Sequence, residues 1–261
     1  MDLIQSIALG VIEGISEFLP ISSTGHLILA ANLLGIPQTE FVKTFEIAIQ
    51  SGAIFAVIFL YRKKLLSDFE LLKRIAIGFI PTAVIGYILY NVIKQYLIGN
   101  SEVVLISLFV GGVVLILVEL FFKNRTNHKS SIINNKSDLT YEKSFVIGLF
   151  QSLAVVPGVS RSASSIIGAM LIGIDRKTAT EFSFLLAIPT MFAATALDLK
   201  ETGFNINSNQ WMALGIRFIV SFFVAMAAIK WLVKYVQTNT FIPFGIYRIV
   251  LSLFYFLLIL K

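Results

Sequence analysis

Two polar, serine-rich segments interrupt a chain that otherwise consists of long hydrophobic runs, and the second segment resembles a diverged copy of the first. The first reads GVIEGISEFLPISSTGH over 10–26, and the second reads GLFQSLAVVPGVSRSAS over 148–164. A shift of 138 positions brings them into register, and Ser22 then falls on Ser160. Charged and unpaired polar groups are costly in hydrocarbon, so they usually face a cavity and mark function. We therefore expect the chemistry of this protein at these two segments.

The composition predicts an all-α, polytopic membrane protein with a single domain. Hydrophobic residues make up 57% of the 261 residues and charged residues only 14%, with a mean hydropathy of +0.85. A water-soluble domain of this length is far more polar. The chain has no cysteine, which excludes disulfides and thiolate metal sites. The net charge of +6 does not indicate nucleic-acid binding, because the basic residues lie in short clusters beside hydrophobic runs, where they act as topology signals.

Six runs are long enough to cross a bilayer, which takes about 20 mostly apolar residues. They are predicted at 41–61, 74–96, 101–122, 178–199, 211–232 and 241–260. The two serine-rich segments differ from these runs, because in each a Pro/Gly/Ser break separates two apolar stretches that are short for a span. The stretches are 3–19 and 23–34 in the first segment, and 145–156 and 160–172 in the second. Since broken helices are tolerated at membrane depth where protein or a cavity surrounds them, we interpret both segments as re-entrant helical hairpins.

The basic residues predict the orientation of the spans. Of the 21 Lys and Arg residues, three arginines fall in the interior of the predicted spans or at a break. Placing fourteen of the others in the cytoplasm leaves only Lys43, Lys94, Lys200 and Lys261 on the opposite side, a strongly positive-inside distribution. The cytoplasmic set is Arg62, Lys63, Lys64, Lys73, Arg74, Lys123, Arg125, Lys129, Lys136, Lys143, Arg176, Lys177, Lys230 and Lys234. This distribution requires each hairpin to enter and leave on the same side of the membrane. The halves 1–122 and 141–261 then have opposite topology, with a polar cytoplasmic linker at 123–140 between them. Inverted repeats commonly place a site near the bilayer midplane, where broken-helix ends from both halves meet.

Two carboxylates in the first segment are suited to a metal ion. Glu13 and Glu17 are four residues apart and therefore lie on one helical face, about one turn from each other. Such a pair suits a hard divalent cation, which takes oxygen ligands and often bridges to substrate phosphates. We predict Mg2+ on these two residues, with Ca2+ as the alternative.

Each break is followed by a helix start that favours an anion. The polar groups after the first break are Ser22, Ser23, Thr24 and the imidazole of His26, and those after the second are Ser160, Arg161 and Ser162. Free backbone N–H groups and the positive end of the helix dipole favour anions. Arginine's planar fork matches phosphate in two simultaneous hydrogen bonds. Brought together with the two glutamates, these groups would form a metal-assisted phosphoryl-transfer site.

Each of these features also has a purely structural explanation. The two glutamates could line a polar helix contact or lie at the water interface. His26 could be a hydrogen-bonded packing residue, the serines could be helix caps, and Arg161 could belong to a structural ion pair. Arg217 and Arg248 could be buried partners or snorkelling side chains.

Four strings resemble the signatures of the bacterial undecaprenyl-diphosphatase family, the bacitracin-resistance membrane phosphatases: EGISEFLPISSTGH, PGVSRSASS, TEFSFLLAIP and FIPFGIYR. The resemblance spans nearly the whole chain in order. It implies hydrolysis of undecaprenyl diphosphate to undecaprenyl phosphate and inorganic phosphate, which recycles the lipid carrier for cell-wall synthesis. It also implies a plasma-membrane enzyme stimulated by a divalent metal, with a site open to the outer face. Ala163 stands where the second motif often holds glycine, and Ser165 where threonine is often found.

The predicted mechanism follows from the placement of charge. Arg161, the hydroxyls and the helix-start amides hold the diphosphate, while a cation on Glu13 and Glu17 neutralises charge on the leaving oxygen. His26 is the predicted nucleophile, with a role as base toward Ser23 or a water as the alternative. The rival function is a lipid-carrier flippase or transporter with the same inverted-repeat site, and a third is a receptor-like binding protein. No pattern encodes the oligomeric state, for which a homodimer is one hypothesis.

Overall fold

The computed structural model of the protein describes residues 3–36, 40–97, 100–128, 139–202 and 208–259. Within these ranges the secondary structure is helical throughout, as predicted. The ten α-helices of this described part are α1 (Leu3–Ser16), α2 (Ser23–Leu33), α3 (Glu40–Ser67), α4 (Phe69–Val92), α5 (Ser101–His128), α6 (Tyr141–Ser152), α7 (Arg161–Leu171), α8 (Arg176–Thr202), α9 (Ser208–Tyr235) and α10 (Ile242–Ile259). A π-helical turn (Ile93–Leu97) extends α4, and a 3-10 turn (Leu153–Val155) extends α6.

Four helices in the described ranges are long and apolar enough to cross a bilayer, which agrees with a polytopic membrane protein. The four stretches are Phe69–Tyr90, Ser101–Phe122, Arg176–Leu197 and Met212–Tyr235. They overlap four of the six predicted spans, and the ends differ by at most six residues.

The other two predicted spans also fall on helices. The span at 41–61 lies in α3, where the side chains of 40–49 are outside the described residues. The span at 241–260 lies in α10, whose apolar stretch Ile242–Leu257 is shorter than the four above. Most of the predicted linker, 129–138, lies outside the described residues as well.

Both serine-rich segments form a helix, a break and a second helix, and the second helices begin in the same way. The Ser22 hydroxyl caps α2 by accepting a hydrogen bond from the Gly25 amide at 3.3 Å, and Ser160 caps α7 by accepting one from Ala163 at 3.2 Å. Capping is the common role of serine at this position. Both serines also have a positive φ, 73° and 79°. Because this conformation is strained for a residue with a Cβ, it persists only where surrounding contacts enforce it.

The second helices of the two segments also end in the same way. Gly35 follows α2 with a φ of 63°, and Gly173 follows α7 with a φ of 87°. The isoleucine after each glycine donates its amide to a carbonyl five residues earlier, at 2.9 and 3.0 Å. This is the Schellman arrangement, which favours glycine because a Cβ is strained at positive φ. The two glycines are 138 positions apart, so the similarity between the segments extends beyond the serines.

Helices from the two halves interleave. α1 and α3 pack on α9, α6 and α8 pack on α4, and α5 packs on α10. The closest approaches occur at glycines: a Cβ on Gly14 would lie 2.8 Å from Val224 Cβ, and one on Gly148 would lie 1.9 Å from the Gly78 carbonyl oxygen. Because lipid is as apolar as a helix surface, close packing of this kind supplies much of the association energy.

The main hydrophobic cluster surrounds the two breaks. It includes Phe18 and Ile21 from the first break and Ile166 from α7, all nearly or fully buried. The Phe18 ring meets the Phe184 ring of α8 edge to face, with centroids 5.2 Å apart. The breaks are therefore held in a packed environment, which is the condition for irregular backbone in a membrane protein.

Candidate active site

Both serine-rich segments contribute polar residues to the wall of one cavity of about 600 Å³. The residues from the segments include Glu17, Ser22, Ser23, Thr24, Ser160 and Arg161. Most of the remaining wall is apolar and comes from α4 and α8. Each of these helices contains a proline, Pro81 or Pro189, next to a residue that lines the cavity. Proline interrupts the ladder of backbone hydrogen bonds and is tolerated in membrane helices beside protein or a cavity.

An ion pair joins the two segments. Nη2 of Arg161 lies 2.9 Å from Oε1 of Glu17, which is 144 residues earlier in the chain. Ser162 adds a second contact between the segments, because its hydroxyl donates to the Leu19 carbonyl oxygen at 2.8 Å. The structure thus brings the predicted phosphate-binding arginine to one of the predicted catalytic carboxylates. Ser162 packs the segments together and is not among the residues that line the cavity.

The Glu17 carboxylate also binds a hydroxyl of its own segment. Its second oxygen, Oε2, accepts a hydrogen bond from Oγ of Ser23, the first residue of α2. Both residues line the cavity. A hydroxyl that donates to a carboxylate has the geometry of a nucleophile paired with its base.

Arg161 keeps one donor available. Its Nη1 donates to the Ser183 carbonyl oxygen of α8 at 2.9 Å, and its Cζ lies 5.5 Å from the centroid of the Phe18 ring, within cation–π range. Its Nε is buried and has no hydrogen-bond partner among the residues that the structure describes. A buried donor without a partner is costly, and in the described part of the chain this N–H is the one unsatisfied group of a guanidinium whose two terminal nitrogens are both bonded.

His26 is held by two hydrogen bonds and is not among the residues that line the cavity. Its Nδ1 lies 2.7 Å from the Ser22 carbonyl oxygen, and its Nε2 lies 2.8 Å from the Tyr247 hydroxyl of α10. A carbonyl can only accept, so Nδ1 carries the proton, and Nε2 of the neutral ring accepts from the tyrosine. The imidazole therefore holds the backbone of the capping serine.

Of the two carboxylates predicted to bind a metal, only Glu17 belongs to the cavity wall. The Glu13 side chain lies one turn earlier in α1 and is fully buried. No group of three or more His, Cys, Asp or Glu side chains that could hold a metal occurs in the described ranges. Mg2+ retains several waters and is commonly bound through one or two carboxylates together with substrate phosphates. Glu17 and the neighbouring hydroxyls are hard oxygen donors that fit a cation arriving with a phosphate ligand.

A hydrogen-bonded group of three polar residues in the cavity wall was not predicted to belong to the site. Nε2 of Gln151 in α6 donates to Oγ1 of Thr82 in α4 at 3.0 Å and to Oγ1 of Thr190 in α8 at 2.9 Å. All three line the cavity. A signal was present in the sequence, because Gln151 occupies the position of Glu13 after the 138-residue shift, and both threonines follow Ile-Pro.

Comparison with known proteins identifies the family. The family model described as bacitracin resistance protein BacA matches residues 6–254. A protein of Sulfurihydrogenibium sp. (strain YO3AOP1) is 53% identical over 257 residues, covering 98% of this chain and 99% of that protein. A protein of Aquifex aeolicus (strain VF5) is 52% identical over 251 residues, which covers 96% of this chain and 96% of that protein. A protein of Persephonella marina (strain DSM 14350 / EX-H1) is 50% identical over 260 residues, which covers both chains completely, 100% of each. All three are named undecaprenyl-diphosphatase. The resemblance seen in the sequence motifs is thereby confirmed, and the chain belongs to the bacitracin resistance protein BacA family.

Proposed function

We propose that this protein is an undecaprenyl-diphosphate phosphatase, which hydrolyses undecaprenyl diphosphate to undecaprenyl phosphate and inorganic phosphate. The observation that carries the proposal is the chain of contacts from Arg161 through Glu17 to Ser23 in the cavity wall. It joins an anion-binding guanidinium, a carboxylate and a hydroxyl around one space. The names of relatives that share half or more of their residues with this chain support the same activity. The reaction recycles the lipid carrier for cell-wall synthesis and confers bacitracin resistance.

The two kinds of cavity wall suit the two parts of this substrate. The polar residues of the breaks receive the diphosphate, and the apolar wall from α4 and α8 receives the adjoining part of the prenyl chain. A volume of about 600 Å³ is in the range of small-molecule pockets, roughly 300 to 1,000 Å³. The rest of the tail therefore stays in the lipid between helices.

Ser23 is the proposed nucleophile, in place of His26. Its Oγ attacks the terminal phosphorus while its proton passes to Glu17, and the bond from that phosphorus to the bridging oxygen breaks. Glu17 returns the proton to the departing lipid phosphate. In the second step Glu17 deprotonates a water that attacks the phosphoserine, and the proton passes to the Ser23 oxygen as inorganic phosphate leaves. Arg161 binds the terminal phosphate, and its charge stabilises the charge that develops there.

His26 acts through the backbone in this scheme. Its Nδ1–H holds the Ser22 carbonyl, which maintains the strained cap beside Ser23. A phosphohistidine would require the ring to give up its hydrogen bond to Tyr247 and turn toward the cavity. Rapid quenching with labelled substrate distinguishes the two routes, since one leaves phosphate on Ser23 and the other on His26.

A divalent cation, Mg2+ or Ca2+, belongs to the proposed reaction as a partner of the diphosphate. Glu17 and the hydroxyls of Ser22, Ser23 and Thr24 would hold it, with Glu13 one helical turn away. When bound, the cation neutralises charge on the phosphate oxygens. The four protein groups keep the phosphate oriented and the hydroxyl of Ser23 directed at the carboxylate.

We place the two serine-rich segments as re-entrant hairpins of an inverted repeat within six spans, in the plasma membrane, with the site open to the extracytoplasmic side. The matching serine caps and terminal glycines support a repeat, and so does the packing, since α1 and α3 meet α9 as α6 and α8 meet α4. The absence of cysteine from the sequence makes a direct test simple. In whole cells, an impermeant maleimide should label Asn100→Cys and leave Thr238→Cys unlabelled until the membrane is opened. The reverse pattern contradicts this orientation.

Phosphate release from purified protein tests the proposed function. Full-length protein in detergent is incubated with undecaprenyl diphosphate, with and without EDTA. We expect release of inorganic phosphate that EDTA stops and added Mg2+ restores, and a much slower but still measurable release from Arg161→Ala. A flippase moves the lipid between two leaflets without cleaving it, so in detergent it would bind the lipid and release no phosphate.

A further inference from the structure

One buried arginine outside the catalytic contacts touches both breaks. Arg248 lies in α10 and has no solvent exposure. Its guanidinium has five N–H groups, and the structure gives it five hydrogen bonds, all to main-chain carbonyls. The acceptors are Pro20 (3.3 Å), Ser107 (3.0 Å), Leu108 (3.2 Å), Gly158 (2.9 Å) and Val159 (3.0 Å).

The positions of these carbonyls connect the arginine to the active site. Pro20 is two residues before the cap of α2, and Val159 is one residue before the cap of α7. The same nitrogen, Nη1, donates to both. The other acceptors are Gly158 in the second break and two carbonyls in the first third of α5. One planar group thus ties the two breaks to each other and to α5.

The surrounding backbone is shaped to admit this group. A Cβ on Gly111 of α5 would lie 2.1 Å from Nη2 of Arg248. Gly158 has a φ of 92°, and a Cβ there would lie 2.6 Å from the Val104 carbonyl oxygen, so the second break lies directly against α5. Glycine at position 111 therefore leaves room for the guanidinium, and glycine at position 158 lets the second break approach α5.

A buried charge is expensive to maintain in a membrane protein, so arginine is retained where its geometry is needed. Lysine could keep the charge but offers three donors from a single point, and it cannot bridge carbonyls in a plane. The strained φ angles at Ser22 and Ser160 need enforcement from neighbouring contacts, and the bonds to the preceding residues supply it.

We propose that Arg248 is a positioning residue, which sets the distance between the two breaks and thereby the alignment of Arg161 with Glu17 and Ser23. It touches no substrate atom in this scheme and acts through the backbone. The inference rests on the proposed phosphatase activity. If the wild-type protein releases no phosphate, the proposed function fails; if it does and Arg248 proves replaceable, only this inference fails.

The first test replaces Arg248 with lysine in the full-length protein. Displacing catalytic groups by about 1 Å lowers turnover by about 100-fold, so we expect kcat to fall by roughly that factor with little change in KM. The matched control is Arg176→Lys. Arg176 also ties α5 to its surroundings, through Nε and Nη2 to Glu119, but contacts neither break. We expect the control to lose thermal stability while keeping its kcat within about threefold, since distant sites act independently.

A double-mutant cycle separates positioning from general destabilisation. If Arg248 acts through Arg161, then adding Arg248→Lys to Arg161→Ala should lower kcat little further, whereas independent effects multiply. A multiplied loss overturns the proposal, as does a kcat of Arg248→Lys within about threefold of wild type. Should Arg248→Lys not fold, Gly111→Ala displaces the guanidinium by crowding Nη2 and should lower kcat in the same way. Its control is Gly215→Ala, where a Cβ meets nothing within 4 Å.

Discussion

Arg161 reaches Glu17 across 144 residues of sequence, and their contact at 2.9 Å closes one serine-rich segment on the other. The side chains are 11% and 4% exposed, so both charges are largely removed from solvent. A buried ion pair is often no more stabilising than apolar side chains of the same volume. Its presence in the wall of a cavity is therefore better explained by a ligand. In the proposed function Arg161 binds this ligand, and Glu17 directs the Ser23 hydroxyl toward it.

Replacing Glu17 with glutamine should separate its electrostatic role from its shape. The amide keeps the volume but loses the negative charge, which leaves Arg161 buried without its counter-charge, a change that costs about 3 to 5 kcal/mol in buried pairs. We expect a clear fall in thermal stability in detergent and a loss of kcat of about 100-fold or more, since the base for Ser23 is removed as well. Calorimetry and phosphate release measure the two effects. Glu70→Gln is the control, because Glu70 and its partner Lys73 are both exposed, so that this substitution should leave the thermal stability nearly unchanged.

The roles of Ser23 and His26 predict opposite outcomes for two substitutions. Ser23→Ala removes the proposed nucleophile and should abolish turnover and the phosphorylated intermediate. His26→Asn places an N–H near the position of Nδ1 and can still donate to the Ser22 carbonyl, so it should retain more activity than His26→Gln, whose amide mimics Nε2. Mass spectrometry of quenched protein and steady-state rates measure both. A phosphate found on His26, with Ser23→Ala still phosphorylated, contradicts the serine mechanism.

A charge introduced at Gln151 should weaken substrate binding. Gln151→Glu would put a carboxylate in the cavity wall, where it repels the diphosphate at the reduced dielectric of a buried site. We expect KM to rise by about tenfold, which corresponds to about 1.4 kcal/mol, while kcat falls less. Gln151→Leu is the matched control, because it removes the bonds to Thr82 and Thr190 without adding charge. An equal rise in KM for both variants would mean that the hydrogen bonds, and not the charge, determine binding.

The contact of α6 with α4 should be the most sensitive to an added methyl group. Gly148→Ala would place a Cβ 1.9 Å from the Gly78 carbonyl oxygen. Because this oxygen belongs to the backbone of α4, the clash can be relieved only if the two helices move apart. We expect destabilisation of about 1 to 3 kcal/mol or more, the range for overpacked cores. Thermal unfolding in detergent measures it against Gly86→Ala, where a Cβ meets nothing within 4 Å. Equal stability of the two variants would contradict this packing.

The sequence could predict the helical membrane fold because hydropathy reports directly on which runs partition into lipid. It could indicate the breaks as the candidate site because serine, glutamate and arginine at membrane depth are too costly to be incidental. The inverted repeat predicted that the two segments meet, but the pairing of Arg161 with Glu17 in particular was not predicted. Four of the six predicted spans overlap long apolar helices of the structure, because hydropathy identifies both. Gln151 was overlooked as a site residue, although its alignment with Glu13 was visible, because an amide carries less chemical meaning than a carboxylate.

The sequence alone determined that this chain folds as a helical membrane protein, and it supplied the residue types from which a candidate site could be predicted. Only the tertiary structure decided which of those residues share a space: Glu17 and Ser23 line the cavity, whereas Glu13 and His26 do not. It also assigned Arg248 to the carbonyls of both breaks, a contact that spans 228 residues at Pro20. The reason is geometric, because the rotation of each helix about its axis and the path of an irregular break depend on neighbours that are distant in sequence, and no local pattern records them.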